Sequence, residues 1–212
     1  MNGHSFIEVR TIAQKKNNEK YEAILNAAVK VIGQAGYHNA PISKIAREAG
    51  VADGTVYLYF KNKEDILISI LRETIGTIVD RLGEELQGLE DPVACLKRLV
   101  TVYFETLGTN PDLAMFTQVH LRQSNAEMRK QIGDIIKPYY TIIDEVIAKG
   151  IEAGVFTERL DARITRRMIF GTMDETITAW ILTGAKYDLL SLIPQVCELM
   201  IGGLAGQIHS HK

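Results

Sequence analysis

Cysteine is nearly absent: Cys95 and Cys197 are the only two in 212 residues. Both lie in apolar, helix-like stretches, which excludes a disulfide framework and reads as two buried, reduced thiols in a reducing cytosol. The five histidines, His4, His38, His120, His209 and His211, fall at no metal-ligand spacing, so no metal centre is expected. Met1 to Asn18 is polar and lacks the apolar segment of a signal peptide, so residues 1–18 are expected to be a flexible segment. No nucleophile–base pair, metal cluster or phosphate-cradling loop is found, and an enzyme is not expected. Low-complexity linkers and internal repeats are missing. No stretch reads as a strand.

What is present is helical. Apolar residues recur at helical spacing almost throughout, with breaks at Gly, Pro and Asn/Asp. A first helix is expected over about 19–35, ended by Gly36 in a left-handed turn. Pro41 suits the first turn of a second helix, which stops at Gly50, and a third runs from Asp53 to about Phe60. Asn62 then caps a long fourth helix, with Asp65 as a shorter stand-in for the capping-box Glu. Asp91-Pro92, Asn110-Pro111, Ser124 with Glu127, and Asp161 mark further starts. Helices follow over 92–108, 111–122, 125–152, 162–183 and 188–208. The expected fold is all-α with about nine helices: a three-helix head (19–65), a long connecting helix, a helical body (66–208) and a tail (209–212).

The net charge of −2 hides an asymmetry. Residues 1–63 hold nine Lys/Arg against five Asp/Glu, and the remainder holds fifteen against twenty-one. A basic head on an acidic body suits a protein whose head meets a polyanion. Within that head, Ile45 to Asp65 reads as a helix-turn-helix of the kind that enters the major groove of DNA. Ile45, Ala46, Ala49, Val51, Val56 and Phe60 would lock the short helices to the first, with Gly50 permitting the turn. Thr55 and the first amides of the third helix sit where phosphate or base edges are met, and Lys63 adds a charge for the DNA backbone.

The motif Gly50-Val51, Gly54-Thr55, Tyr57, Tyr59-Phe60, Lys63-Glu64 resembles that of the TetR family of bacterial transcriptional repressors, over about Ala23 to Leu67. The resemblance implies that Tyr57 and Tyr59 both project to the groove walls, ordinary packing being the alternative. It also implies that Ser43, Lys44, Ala52, Asp53 and Gly54 face base edges or their neighbours. Asp53 either caps the third helix or accepts from a cytosine amino group, and the cap is the preferred reading. Ala52 and Gly54 offer little chemistry, so readout is expected to lean on DNA shape.

The last helix, 188–208, carries Glu198 as its single charge and is apolar on most sides, which calls for burial on more than one face. Gly202 and Gly206 at small-xxx-small spacing raise a membrane span, but Pro194, Gln195, Glu198, Gln207 and missing cationic flanks oppose it. A homodimer interface is expected instead, through helices 162–183 and 188–208 as in TetR-like proteins, with Leu199 and Leu204 as interface positions. Two heads on a twofold axis then address a pseudo-palindromic operator. The fourth helix is the natural lever between ligand and head.

Within the family, MFTQVHLRQSNAEMRKQI, RRMIFGTMDETITAW and KYDLL resemble the acyl-CoA-responsive FadR-type repressors of fatty-acid degradation in Bacillus-like bacteria. That implies a long-chain acyl-CoA effector and no cofactor. Phe104, Met115, Phe116, Val119, Met168, Met173 and Trp180, with Leu71, Ile75, Val102 and Ile143, are candidates to line an acyl tunnel, and equally candidates for plain core. Arg122, Gln123, Asn125, Arg129 and Lys130 are candidates for the CoA phosphates or for a solvated capping corner, with Arg166 and Arg167 behind them. The rival reading is a TetR-type repressor answering cationic or other hydrophobic drugs and controlling efflux. Against it, the body has acids, including Asp174 and Glu175, but few aromatics beside them.

Overall fold

The computed structural model describes the backbone of residues 4–121 and 126–205, and the side chains of residues 18–121 and 126–205. Among the described residues there are nine α-helices and no strand. They are α1 (His4–Ala35), α2 (Ile42–Glu48), α3 (Asp53–Tyr59), α4 (Lys63–Glu85), α5 (Pro92–Gly108), α6 (Pro111–His120), α7 (Ala126–Glu152), α8 (Ala162–Leu182) and α9 (Ile193–Leu204). The chain forms two compact units, Met1–Ile70 and Leu71–Lys212, divided inside α4.

The first unit holds α1 to α3 and the opening turns of α4. Its core joins Ile24, Ala28 and Ile32 of α1 to Ile45 and Ala46 of α2, Val56 of α3, Phe60, and Ile66 and Leu67 of α4, all buried. Gly50 takes φ +67°, a left-handed conformation that costs a side-chain-bearing residue, and Val51 donates back to the Ala46 carbonyl at 2.9 Å. This closes the turn between α2 and α3. Asn62 caps α4 by accepting from the Asp65 amide at 2.8 Å, while the Asp65 carboxylate accepts from the Lys61 amide at 2.9 Å. The reciprocal pair expected from the sequence is therefore present, displaced by one residue on the return bond.

Helix α1 begins at His4, not at Glu19. From His4 onward the polar stretch continues the helix because no proline or glycine occurs between His4 and Ile32, and Ala, Gln, Lys and Glu are good helix formers. Polarity by itself does not stop a helix.

In the second unit, Asp91, Asn110 and Asp161 each accept from a first-turn amide at 3.0 Å, fixing the starts of α5, α6 and α8. Helix α5 is the central one: Leu96, Leu99, Val100, Val102, Tyr103, Phe104 and Leu107 are buried, and α6, α7, α8 and α9 pack on it. Phe156, just after α7, lies across Gly150, where an added Cβ would come within 1.8 Å of the ring. The apolar stretch read as one helix over 188–208 is broken. Leu189–Leu192 forms a 3-10 turn, and α9 starts at Ile193. Pro194 enforces this, because in a continuous α-helix its ring would meet the carbonyl of Leu190 and it has no N–H to donate. Cys95 and Cys197 are free and buried, and burial pushes both thiols up, away from the reactive thiolate.

Candidate nucleic-acid interface and effector body

Helix α3 divides its seven residues sharply. Val56 is fully buried, whereas Tyr57 is 57% and Leu58 82% exposed. Ala52, Asp53 and Gly54 at its start are exposed, as are Ser43 and Lys44 on α2, and Thr55 is half-buried. The cap is Ala52, with no side-chain hydrogen bond. Asp53 is the first helical residue instead, so the preferred capping role is corrected. Its exposed carboxylate faces the positive end of a short helix, a favourable but weak placement.

The two tyrosines part company. The Tyr57 ring points into solvent, whereas Tyr59 is half-buried, its ring 6.4 Å from those of Tyr21 and Phe60. Tyr21 also stacks on Phe60 at 5.2 Å, so Tyr59 belongs to an aromatic cluster between α1 and α3. Lys63 is placed differently from expectation as well. Its ammonium donates to the Tyr37 carbonyl and sits 4.3 Å from the centre of that ring. Both partners are neutral, so the positive charge at the start of α4 survives while its position is fixed. No local pattern could have signalled this pair, whose members are 26 positions apart. Tyr57→Phe is expected to weaken operator binding with the fold intact, and Lys63→Ala to lower the slope of log affinity against log salt by about one. Filter binding across a salt series measures both, and an unchanged slope removes Lys63 from the phosphate contacts.

In the body, Phe104, Phe116, Met173 and Trp180 are buried and Met115 is half-buried. Val119 and Met168 are exposed on the single chain. Trp180 donates from its indole to the Tyr187 carbonyl at 2.8 Å. Arg122, Gln123 and Asn125 lie outside the described residues, and Arg129 is exposed at the start of α7. Arg166 pairs with Asp144 and lies 5.3 Å over the Tyr140 ring, so its guanidinium is already engaged. A cleft of about 420 Å³ opens beside α4 and α7, lined by Ile75, Val79 and Ile135 together with Arg72, Gln131 and Asp134.

Asp174 stands in surroundings the sequence did not indicate. It is buried on α8, and the Tyr103 hydroxyl approaches its carboxylate at 3.5 Å. Tyr139 stacks on Tyr103 at 5.6 Å, and Phe170 meets both rings edge-on. Thr178 adds a hydrogen bond to Gln118 at 3.0 Å. The expectation of few aromatics beside Asp174 is thus corrected, since Tyr103 and Tyr139 come from α5 and α7. Burial first, and the Asp174 charge second, push the Tyr103 phenol well above its ordinary range. Burial first and then Tyr103 do the same for Tyr139. Burial therefore favours the neutral phenol at both positions.

Helices α8 and α9 leave Ile164, Leu182 and Leu199 exposed. Leu204, paired with Leu199 in the sequence reading, is fully buried within its own chain. It is a core residue, and of the two positions only Leu199 is exposed.

Two family models match the chain and meet where its two units divide. Residues 24–70 match the bacterial regulatory proteins of the tetR family, and residues 71–203 match the C-terminal region of YsiA-like proteins. The fatty acid metabolism regulator protein of Bacillus subtilis is 46% identical over 190 residues, covering 90% of this chain and 98% of that one. The chain belongs to the tetR family. Among solved structures, the fatty acid degradation regulator FadR of Bacillus halodurans superposes with a TM-score of 0.82 at 47% identity, covering 87% of this chain and 99% of that one. FadR of Bacillus subtilis in complex with stearoyl-CoA gives 0.82 at 46% identity, with the same coverage. The FadR-type resemblance read from the sequence agrees with both. No helix among the described residues is long and apolar enough to cross a membrane.

Proposed function

We propose that this protein is a cytoplasmic, ligand-controlled transcriptional repressor rather than an enzyme. It binds a pseudo-palindromic operator as a homodimer through residues 19–65, and residues 66–208 bind the effector and dimerise. The effector is a long-chain acyl-CoA, which releases the repressor from fatty-acid degradation genes. One observation carries the reading: the identity of 46% with a fatty acid metabolism regulator runs through 90% of the chain, body as well as head. A relative at that identity is itself complexed with stearoyl-CoA.

The chemistry of the body is suited to such a ligand. Each buried methylene contributes about 0.8 kcal/mol, so a long acyl chain gains most of its affinity from apolar helices. The CoA phosphates need guanidinium and amide donors, for which Arg122, Gln123, Asn125 and Arg129 are the candidates between α6 and α7. Control needs only that effector and operator favour different conformers of the same dimer, because a ligand that binds both equally shifts nothing.

The test is a titration of the operator-bound protein with stearoyl-CoA, free CoA and a cationic dye, followed by fluorescence anisotropy of labelled DNA. Release by stearoyl-CoA alone is expected; release by the dye with stearoyl-CoA inert would transfer the reading to a drug-responsive repressor. Arg122→Ala should leave DNA affinity unchanged and raise the stearoyl-CoA concentration needed for half-release roughly tenfold or more, as loss of one charge-assisted contact requires. Unaltered release would move the phosphate site elsewhere.

A further inference from the structure

Leu58 has the largest exposure of any large apolar side chain among the described residues, 82%. A leucine alone on a surface is ordinary, but the place of this one is not. It lies on α3, next to exposed Tyr57 and one turn beyond Gly54. A Cβ added at Gly54 would meet nothing within 4 Å, so the helix face beside Leu58 is bare backbone. Ala52 and Gly54 bring no side-chain donor or acceptor to the same face. Asp53 and Thr55 bring the polar groups to the start of α3, Tyr57 brings an exposed ring, and Leu58 is the one exposed aliphatic projection of this helix.

Base edges in the major groove are almost wholly polar, and their one apolar feature is the C5-methyl group of thymine. A leucine placed against guanine, cytosine or adenine would desolvate hydrogen-bonding groups and return nothing. Against thymine it covers a methyl group that is otherwise in water. We infer that Leu58 packs on a thymine C5-methyl in each half-site and makes operator choice depend on that thymine. The inference rests on the DNA-binding reading given above and adds to it a direct contact at a position where hydrogen bonding has no means to discriminate.

The full-length protein is used to enrich an operator from random duplexes, and each thymine is then replaced singly by deoxyuridine, which removes only the methyl group. One thymine per half-site should be found whose replacement weakens wild-type binding about fourfold, and about fifteenfold when both are replaced. Leu58→Ala, at an exposed position where folding is undisturbed, should bind the thymine and uracil duplexes equally. Leu58→Met, which keeps an apolar end, should retain most of the discrimination. The inference is overturned if no methyl deletion matters, or if the Leu58→Ala protein senses the same deletion as strongly as wild type. Failure to enrich any sequence would overturn the DNA-binding reading itself, and this contact with it.

Discussion

Leu199→Glu is expected to give a folded monomer whose operator affinity is lower by about a hundred- to ten-thousand-fold. Leu199 is 69% exposed on α9, so the substitution removes nothing from the chain's own core. In a twofold interface each side chain near the axis meets its own mate, so one substitution places two like charges in an apolar contact. Two linked heads bind two half-sites with the second contact made effectively intramolecular, and a monomer loses that advantage entirely. Light scattering should report half the mass, circular dichroism an unchanged helical signal, and DNA anisotropy the lost affinity. Leu204→Glu serves as the contrast. That residue is fully buried, and its charge should unfold the body instead of dividing the dimer. A dimeric, tightly binding Leu199→Glu protein would place the interface away from α9.

Gly150→Ala should lower stability by about 3 kcal/mol although it adds a single methyl group. The Phe156 ring occupies the space a Cβ would need, with three ring carbons at 1.8, 2.2 and 2.6 Å from its position. Phe156 is itself buried and cannot swing into water without forfeiting its own contacts. It is held further by its amide, which donates to the Gly150 carbonyl at 2.9 Å. The cause can be isolated with a double-mutant cycle. Phe156→Ala alone should cost about 3–5 kcal/mol, and adding Gly150→Ala to it should cost little more, because the clash has gone. Denaturant unfolding at one fixed protein concentration measures all four proteins. Additive losses would show that the glycine serves something other than the ring.

The parts legible in the sequence share a property: their partners are close along the chain. Asn62, Asp91, Asn110 and Asp161 accept from amides two or three positions ahead, and all four were identified as helix starts. Gly36 and Gly50 take the positive φ that their positions after a helix demand. Where an expectation was corrected, a longer-range contact or a neighbour's stronger preference decided. Pro194 broke a stretch whose apolar pattern alone read as continuous. Tyr59 turned into a cluster with Tyr21, 38 positions away, whereas Tyr57, two positions from it, stayed in solvent.

Composition, periodicity and motif spacing determined the helical pattern and the helix-turn-helix head, because those features repeat at fixed short intervals, and the likeness of the motif residues pointed to the tetR family. Only the tertiary structure decided which side chain on each helix faces water. It left Leu58 and Leu199 uncovered, enclosed Leu204, and surrounded Asp174 with tyrosines from α5 and α7. The reason is physical: helical periodicity specifies which residues share a face, but the identity of what that face meets depends on how distant segments pack.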